Sequence, residues 1–218
     1  MSALAIANSR GVPGTACLIV EDQASDQYVL ANHHVVFGRG AAVGDPIWVL
    51  PPEDHEGGTP MLLGHAVRGQ LGRVTHGGDA CFVDCALVSL GGTRLPSWIE
   101  AGLAGVHEVG TAARGVLVEK TGPATGVTKG VVIDAHYFDQ VVIAERAWAA
   151  PHQILVDSCD PELNFSGPGD SGAVLFDGEA RAVGLVWGSN MTGQGIASPL
   201  GAVLDALGVE IIRTPRHS

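Results

Sequence analysis

The chain is poor in charge, and poorest in positive charge: of its 218 residues 16% are charged, with 12 Lys and Arg against 23 Asp and Glu, a net charge of -11. No basic run or basic-aromatic stripe occurs, so the electrostatic footprint of a nucleic-acid or anionic-membrane binder is missing. No segment approaches the roughly 18 continuous apolar residues of a membrane-spanning helix. Residues 1–10 lack a charged start, and their apolar stretch is shorter than the core of a secretion signal, so export by a standard signal is not expected. The four cysteines, Cys17, Cys81, Cys85 and Cys159, form no CxxC pair and no zinc spacing. Cys81 and Cys85 fall in one strand-like run, where four residues span about 13 Å, beyond disulfide reach. Reduced, mostly buried thiols are the expectation, and with them a cytoplasmic location. The nine histidines include no HExxH, so no metal and no cofactor are implied.

What the chain does have is apolar residues, at 46%, and turn formers, with 31 glycines and 12 prolines. Short β-branched segments recur between Gly, Pro, Asn and Asp clusters, the spacing of an all-β sandwich or barrel. The strands expected include 16–20, 27–31, 46–50, 64–75, 84–90, 113–119, 126–133, 140–144, 153–156, 173–176 and 182–186. One helical pattern stands out near the end, where Pro199 opens a run with Leu200, Val203, Leu204 and Leu207 on one face and Gly208 as its stop. The turn-rich segment 91–97 lies near the midpoint and is the candidate linker between two β lobes, 1–95 and 96–218.

Three segments carry chemistry. Around Ser171 the chain reads Phe165-Ser-Gly-Pro-Gly169-Asp170-Ser171-Gly172; a serine hydroxyl is a weak nucleophile that needs a base, and acyl transfer needs donors for the developing oxyanion. Glycines at 169 and 172 permit a tight turn, in which the amides of Gly169 and Ser171 could form an oxyanion hole. Asn32-His33-His34-Val35 sets two candidate bases at the end of an apolar strand. Asp84 heads another apolar segment, where a buried carboxylate could hold an imidazole in one tautomer.

With these residues in the order His34, Asp84, Ser171, the chain resembles the trypsin/chymotrypsin serine protease superfamily, in particular its intracellular HtrA-like and NAL1-like modules. The order disagrees with α/β-hydrolases, whose GxSxG would need glycine at Ala173. The stretch from Val118 to Gly130 is similar to a KxGxxTGxTxG hairpin of the NAL1-like branch, and Gly184-Leu-Val186-Trp187-Gly188 to the segment that runs beside a bound substrate backbone. The resemblance implies a chymotrypsin-like double six-stranded antiparallel β-barrel with a short C-terminal helix. It implies a serine endopeptidase acting on peptide or protein substrate, without nucleic acid or membrane as partner, with His34, Asp84 and Ser171 as triad. It further implies substrate contacts at Phe165, Val186, Trp187, Gly188 and Gly195. Phe165, six residues before the nucleophile, would floor the primary pocket, and its apolar side chain argues against trypsin-like cleavage after Lys or Arg. An Ile/Val-Val-Gly-Gly activation motif is absent, so Asp170 must find a partner other than a newly cut N-terminus. The alternative is a catalytically silent module of the same fold that serves in binding or scaffolding.

Overall fold

The computed structural model describes residues 3–51, 58–90, 103, 106, 108–143 and 145–212; the candidate linker 91–97 lies outside them. The first unit holds β1 (Leu4–Asn8), β2 (Pro13–Ala16), β3 (Leu18–Asp22), β4 (Gln27–Ala31), β5 (Pro46–Val49), β6 (Met61–His76) and β7 (Asp79–Ser89). A one-turn helix, α1 (His33–Val36), follows β4. The second unit holds β8 (Leu117–Gly122), β9 (Gly126–Ile143), β10 (Arg146–Ser158), β11 (Val174–Asp177), β12 (Ala182–Ser189) and β13 (Gly195–Pro199). These six close into a barrel in the order β10-β13-β12-β11-β8-β9.

After the barrel the chain forms α2 (Leu200–Leu207) and then returns to the first unit as β14 (Val209–Ile211). There β14 pairs with β3, giving an eight-stranded sheet in the order β14-β3-β4-β7-β6-β5-β1-β2. The strand count exceeds the expected six partly through this returning edge. Every pairing between named strands is antiparallel, consistent with the hairpin-rich sequence. The helix is the one its apolar spacing predicts. Leu200, Val203, Leu204 and Leu207 are buried, and Gly208, at φ 62°, ends it in the left-handed conformation that a glycine adopts without steric cost.

β7 is the strand around which the molecule is organised. Its residues 81–88 are buried on both faces, which explains a continuous apolar run rather than an alternating one. Cys81, Val83, Cys85 and Leu87 face a core shared with α2 and with Val174, Phe176 and Leu185 of the barrel. On the opposite face Phe82 packs with Ala150, Leu155, Trp187 and Ile196 of the barrel, while Ala86 and Val88 join the first unit's own core. The two units therefore share cores on both faces of one strand. The remaining barrel core gathers Val118, Val132, Ile154, Val156, Phe165 and Leu175.

Differences from the expected strands have local causes. The segment 16–20 is two strands, β2 and β3, broken at Cys17. The expected 126–133 and residues 140–143 of the expected 140–144 fall in one long strand, β9, whose outer half alternates half-buried and exposed residues against β10. Two short strands, β1 between β5 and β2 and β14 at the sheet edge, were not expected at all. All four cysteines are free; Cys17, Cys81 and Cys85 are buried and Cys159 is exposed. No helix among the described residues is long and apolar enough to cross a membrane.

Candidate active site

The site is assembled from β2, α1, β7 and the loop before β11. β4 ends at Ala31, and Asn32, with extended backbone (φ -83°, ψ 149°), turns the chain into α1. Asn32 sits at the N-cap but does not cap the helix with its side chain. Its amide instead donates to the Asp84 carbonyl at 2.6 Å, which ties the start of α1 to β7. The amide oxygen of Asn32 is buried with no partner among the described residues. An unsatisfied buried acceptor costs about 1–3 kcal/mol, so the tie to β7 is kept against that penalty.

Asp84 is fully buried and is the one carboxylate in the apolar run of β7. It grips His34 twice: Oδ1 accepts the His34 backbone N–H at 3.0 Å and Oδ2 lies 2.5 Å from His34 Nδ1. An ionised carboxylate only accepts, so Nδ1 carries the proton and Nε2 is left with its lone pair. Burial alone would pull the His34 pKa down, but the charge of Asp84 and the hydrogen bond to it outweigh burial, and the net shift is upward. For neighbouring His33 burial wins, and its pKa falls. The His33 ring lies against Phe37, centroids 5.0 Å apart. Of the two histidines, the structure pairs His34 with Asp84.

Ser171 is held against β2. Thr15 N–H donates to the Ser171 carbonyl at 2.7 Å and the Thr15 hydroxyl to the Gly169 carbonyl at 2.8 Å, binding the loop to the first unit. Gly14 lies between the two functional elements: a Cβ there would meet Val35 of α1 at 2.5 Å and the Ser171 carbonyl at 3.1 Å. The bare backbone of Gly14 thus lets both α1 and the serine loop come close to β2. Gly169 and Gly172, at φ 110° and 102°, turn the loop as the sequence expected, and a Cβ on Gly172 would lie 2.0 Å from the Thr15 carbonyl. The amides of Gly169 and Ser171 have no acceptor among the described residues. The Ser171 hydroxyl donates to the Trp187 carbonyl at 3.4 Å.

Asp170 finds its partner inside the chain. The carboxylate and the Lys120 ammonium, both side chains fully buried, are 3.0 Å apart. Asp170 also accepts from the Thr125 hydroxyl (2.7 Å) and from the amides of Ala124 (3.0 Å), Thr125 (3.4 Å) and Gly167 (3.1 Å). Burial would raise its pKa, but the Thr125 and Lys120 contacts more than offset this and hold the carboxyl below the usual range. Sequence reasoning ended this strand at Glu119 and missed the lysine. The signal was there: in Leu117–Gly122 residues 118, 120 and 122 are buried while 117, 119 and 121 are not, which turns a lysine inward.

A cleft of about 490 Å³ opens over the His34–Asp84 pair, lined by His33, His34, Phe37, Leu71, Trp187 and, from the β9–β10 hairpin tip, Val141, Val142 and Ile143. Trp187 thus reaches the cleft. At Gly188 a Cβ would meet nothing within 4 Å. Val186 is buried, its amide bonded to the Ala173 carbonyl. Phe165 is fully buried, its ring wedged between Gly130 and Gly195, so it belongs to the barrel core rather than to open surface.

No family model and no curated protein matches the sequence. Solved structures do match over nearly the whole chain. One is a glutamic acid specific serine protease described as using a histidine triad in substrate binding, at 20% identity and TM-score 0.62, covering 95% of this chain and 97% of that one. Cellulomonas bogoriensis chymotrypsin matches at 18% identity and TM-score 0.60, covering 98% of each chain. The active form of the Rv3671c protease from M. tuberculosis matches at 19% and 0.59, covering all of this chain and 83% of that one. The architecture built above, an eight-stranded antiparallel sheet and a closed six-stranded barrel with a helix after the last barrel strand, is accordingly the chymotrypsin-like fold.

Proposed function

We propose that the protein is a serine endopeptidase in which Ser171 is the nucleophile, His34 the general base and acid, and Asp84 its orienting partner. The observation that carries this is the double grip of Asp84 on His34, which holds the proton on Nδ1 and leaves Nε2 as the free base in the cleft. In the first step the Ser171 hydroxyl leaves the Trp187 carbonyl, passes its proton to His34 Nε2, and its oxygen attacks the peptide carbonyl. The oxyanion takes the free amides of Gly169 and Ser171, and Asp84 stabilises the imidazolium. His34 then protonates the leaving amine, and water, deprotonated by the same imidazole, hydrolyses the acyl-enzyme. No cofactor enters.

A narrow, non-trypsin-like preference is part of the proposal, since no acidic side chain among the described residues lines the cleft to meet a basic substrate group. The free cysteines support the reading of a reducing, cytoplasmic setting, and kinship to HtrA-like and NAL1-like modules rests on the Val118–Gly130 hairpin.

A fluorophosphonate probe tests the reading, because it reacts only with an activated serine. Labelling of the folded protein, lost in Ser171→Ala, is the expected result. The second reading, a silent module of the same fold, draws on the Ser171 hydroxyl being bonded to Trp187 in the structure; it predicts folded protein that does not label.

A further inference from the structure

The strand that carries Asp84 lacks a neighbour where it carries it. β4 pairs with β7 only as far as Ala31 opposite Ala86, and among the described residues no strand continues along that edge. Carbonyls of alternate residues in a strand point the same way. That of Cys85 faces β6, where a Cβ added to Gly69 would meet it at 2.8 Å, so those of Phe82 and Asp84 face the open edge. A buried carbonyl needs a partner. Asp84 receives the Asn32 amide, from the residue before the histidine pair. Phe82 receives Gln153, from the other unit, with Nε2 donating at 3.0 Å.

Gln153 is fully buried, and the orientation of its amide is dictated by its surroundings. The carbonyls of Phe82 and Pro151, at 3.0 and 2.8 Å, can only accept, so Nε2 faces them. The indole N–H of Trp187, at 2.7 Å, can only donate, so Oε1 faces it. Ser198, also fully buried, places its hydroxyl 3.0 Å from the Phe82 carbonyl and 3.2 Å from Gln153 Oε1 and gives its one proton to either. The rings of Phe82 and Trp187 meet edge to face at 5.6 Å. Trp187 stands at an irregularity in the β12–β13 register, between Val186 and Gly188, and its carbonyl is the acceptor of the Ser171 hydroxyl.

The connections form one chain across the molecule. Two residues before Asp84, the β7 backbone is bonded to Gln153. Gln153 is bonded to the Trp187 ring, and the Trp187 backbone to Ser171. We infer that Gln153 is a positioning residue that sets the distance and angle between the Asp84–His34 pair on one unit and Ser171 on the other. The inference rests on the serine-hydrolase reading. It also separates the residue from a mere interface stabiliser, because a displacement of about 1 Å at a reacting centre lowers the chemical step about 100-fold without weakening binding to the same degree.

The experiment is saturation labelling with a fluorophosphonate. It resolves the probe's binding constant from the rate constant of serine attack, for the wild type, Gln153→Leu, Trp187→Phe and the double variant, each held well below its melting temperature. The expected result is a fall of about 10- to 100-fold in the attack rate constant for each single variant, with the binding constant within about 3-fold and the double variant no slower than the slower single. Folded single variants that attack at the wild-type rate, or that lose only probe binding, overturn the inference while leaving the serine reading intact. If Gln153→Leu does not fold, Trp187→Phe decides alone, since it keeps an aromatic ring on Phe82 while removing the indole donor to Gln153, and the separate binding constant reads any effect of the smaller ring on the cleft. A wild type that does not label fails the serine reading, and the inference falls with it.

Discussion

At the scale of single residues, the behaviour of the site turns on one pair. The His34 pKa is raised because Asp84 favours the imidazolium more than burial disfavours it. A base must be neutral to accept a proton, so the reaction rate should rise with pH along a limb whose midpoint lies above the ordinary imidazole value of about 6.5. The same shift makes His34 a stabilising group: its contribution is fully present below the unfolded-state value and is lost as pH rises through the higher folded value. Asp84→Asn removes the charge and offers Nδ1 an amide. The limb should then move to lower pH, and turnover should fall by about 10⁴-fold through loss of the correct tautomer. A pH profile of labelling for both proteins measures the two effects together, and an unmoved limb in Asp84→Asn would remove Asp84 from its proposed role. The pairing itself was legible in the sequence, because a histidine motif at a strand end and a lone aspartate in an apolar run are each unusual. The polar residues that serve the backbone were not legible. Gln153 and Asn32 earn their places by meeting carbonyls on strands far away in sequence, and no local pattern announces that.

At the scale of elements, β8 does for the serine loop what α1 and β7 do for the base. Its inward lysine meets Asp170, whose carboxylate also collects the Ala124 and Thr125 amides of the β8–β9 turn and the Gly167 amide of its own loop. Lys120→Met keeps the length of the side chain and leaves a buried carboxylate without its cation. Breaking such a pair costs about 3–5 kcal/mol, read from the urea midpoint at neutral pH. The variant should regain part of the loss on mild acidification, where Asp170 takes up a proton, whereas wild-type stability falls as the depressed Asp170 titrates. A Lys120→Met protein as stable as the wild type at neutral pH would show that the hydrogen bonds to Asp170 suffice. Most of the strands were legible from β-branched runs between turn residues. β9 was read as two pieces because the stretch between them, Asp134-Ala-His-Tyr-Phe-Asp139, sets two aspartates and a histidine among its apolar residues. The short strands β1 and β14 were missed because five and three residues carry too little periodicity to register.

At the scale of the whole molecule, the two units are joined through shared cores. β7 is buried between cores on both faces, and the cores of its two faces each include barrel side chains. α2 adds to this: Arg68 of β6 donates to the Leu207 carbonyl at 2.9 Å, and His76 of β6 pairs with Asp205 at 2.6 Å. Unfolding in urea should therefore follow one transition by tryptophan fluorescence and by far-ultraviolet circular dichroism. Peptides from β7 and from β12 should share the same limiting free energy of hydrogen exchange. Separate transitions for the two units would contradict the shared cores.

The return of β14 to β3 bears on how the chain is made. Synthesis runs from the N-terminus, so β1 to β7 leave the ribosome long before residues 209–211 exist, and the outer edge of β3 stays unpaired through the whole production of the barrel. An open strand edge invites pairing with other chains. The first sheet is sealed by its last-made strand, and the interval before that closure is when a nascent chain is most exposed to aggregation.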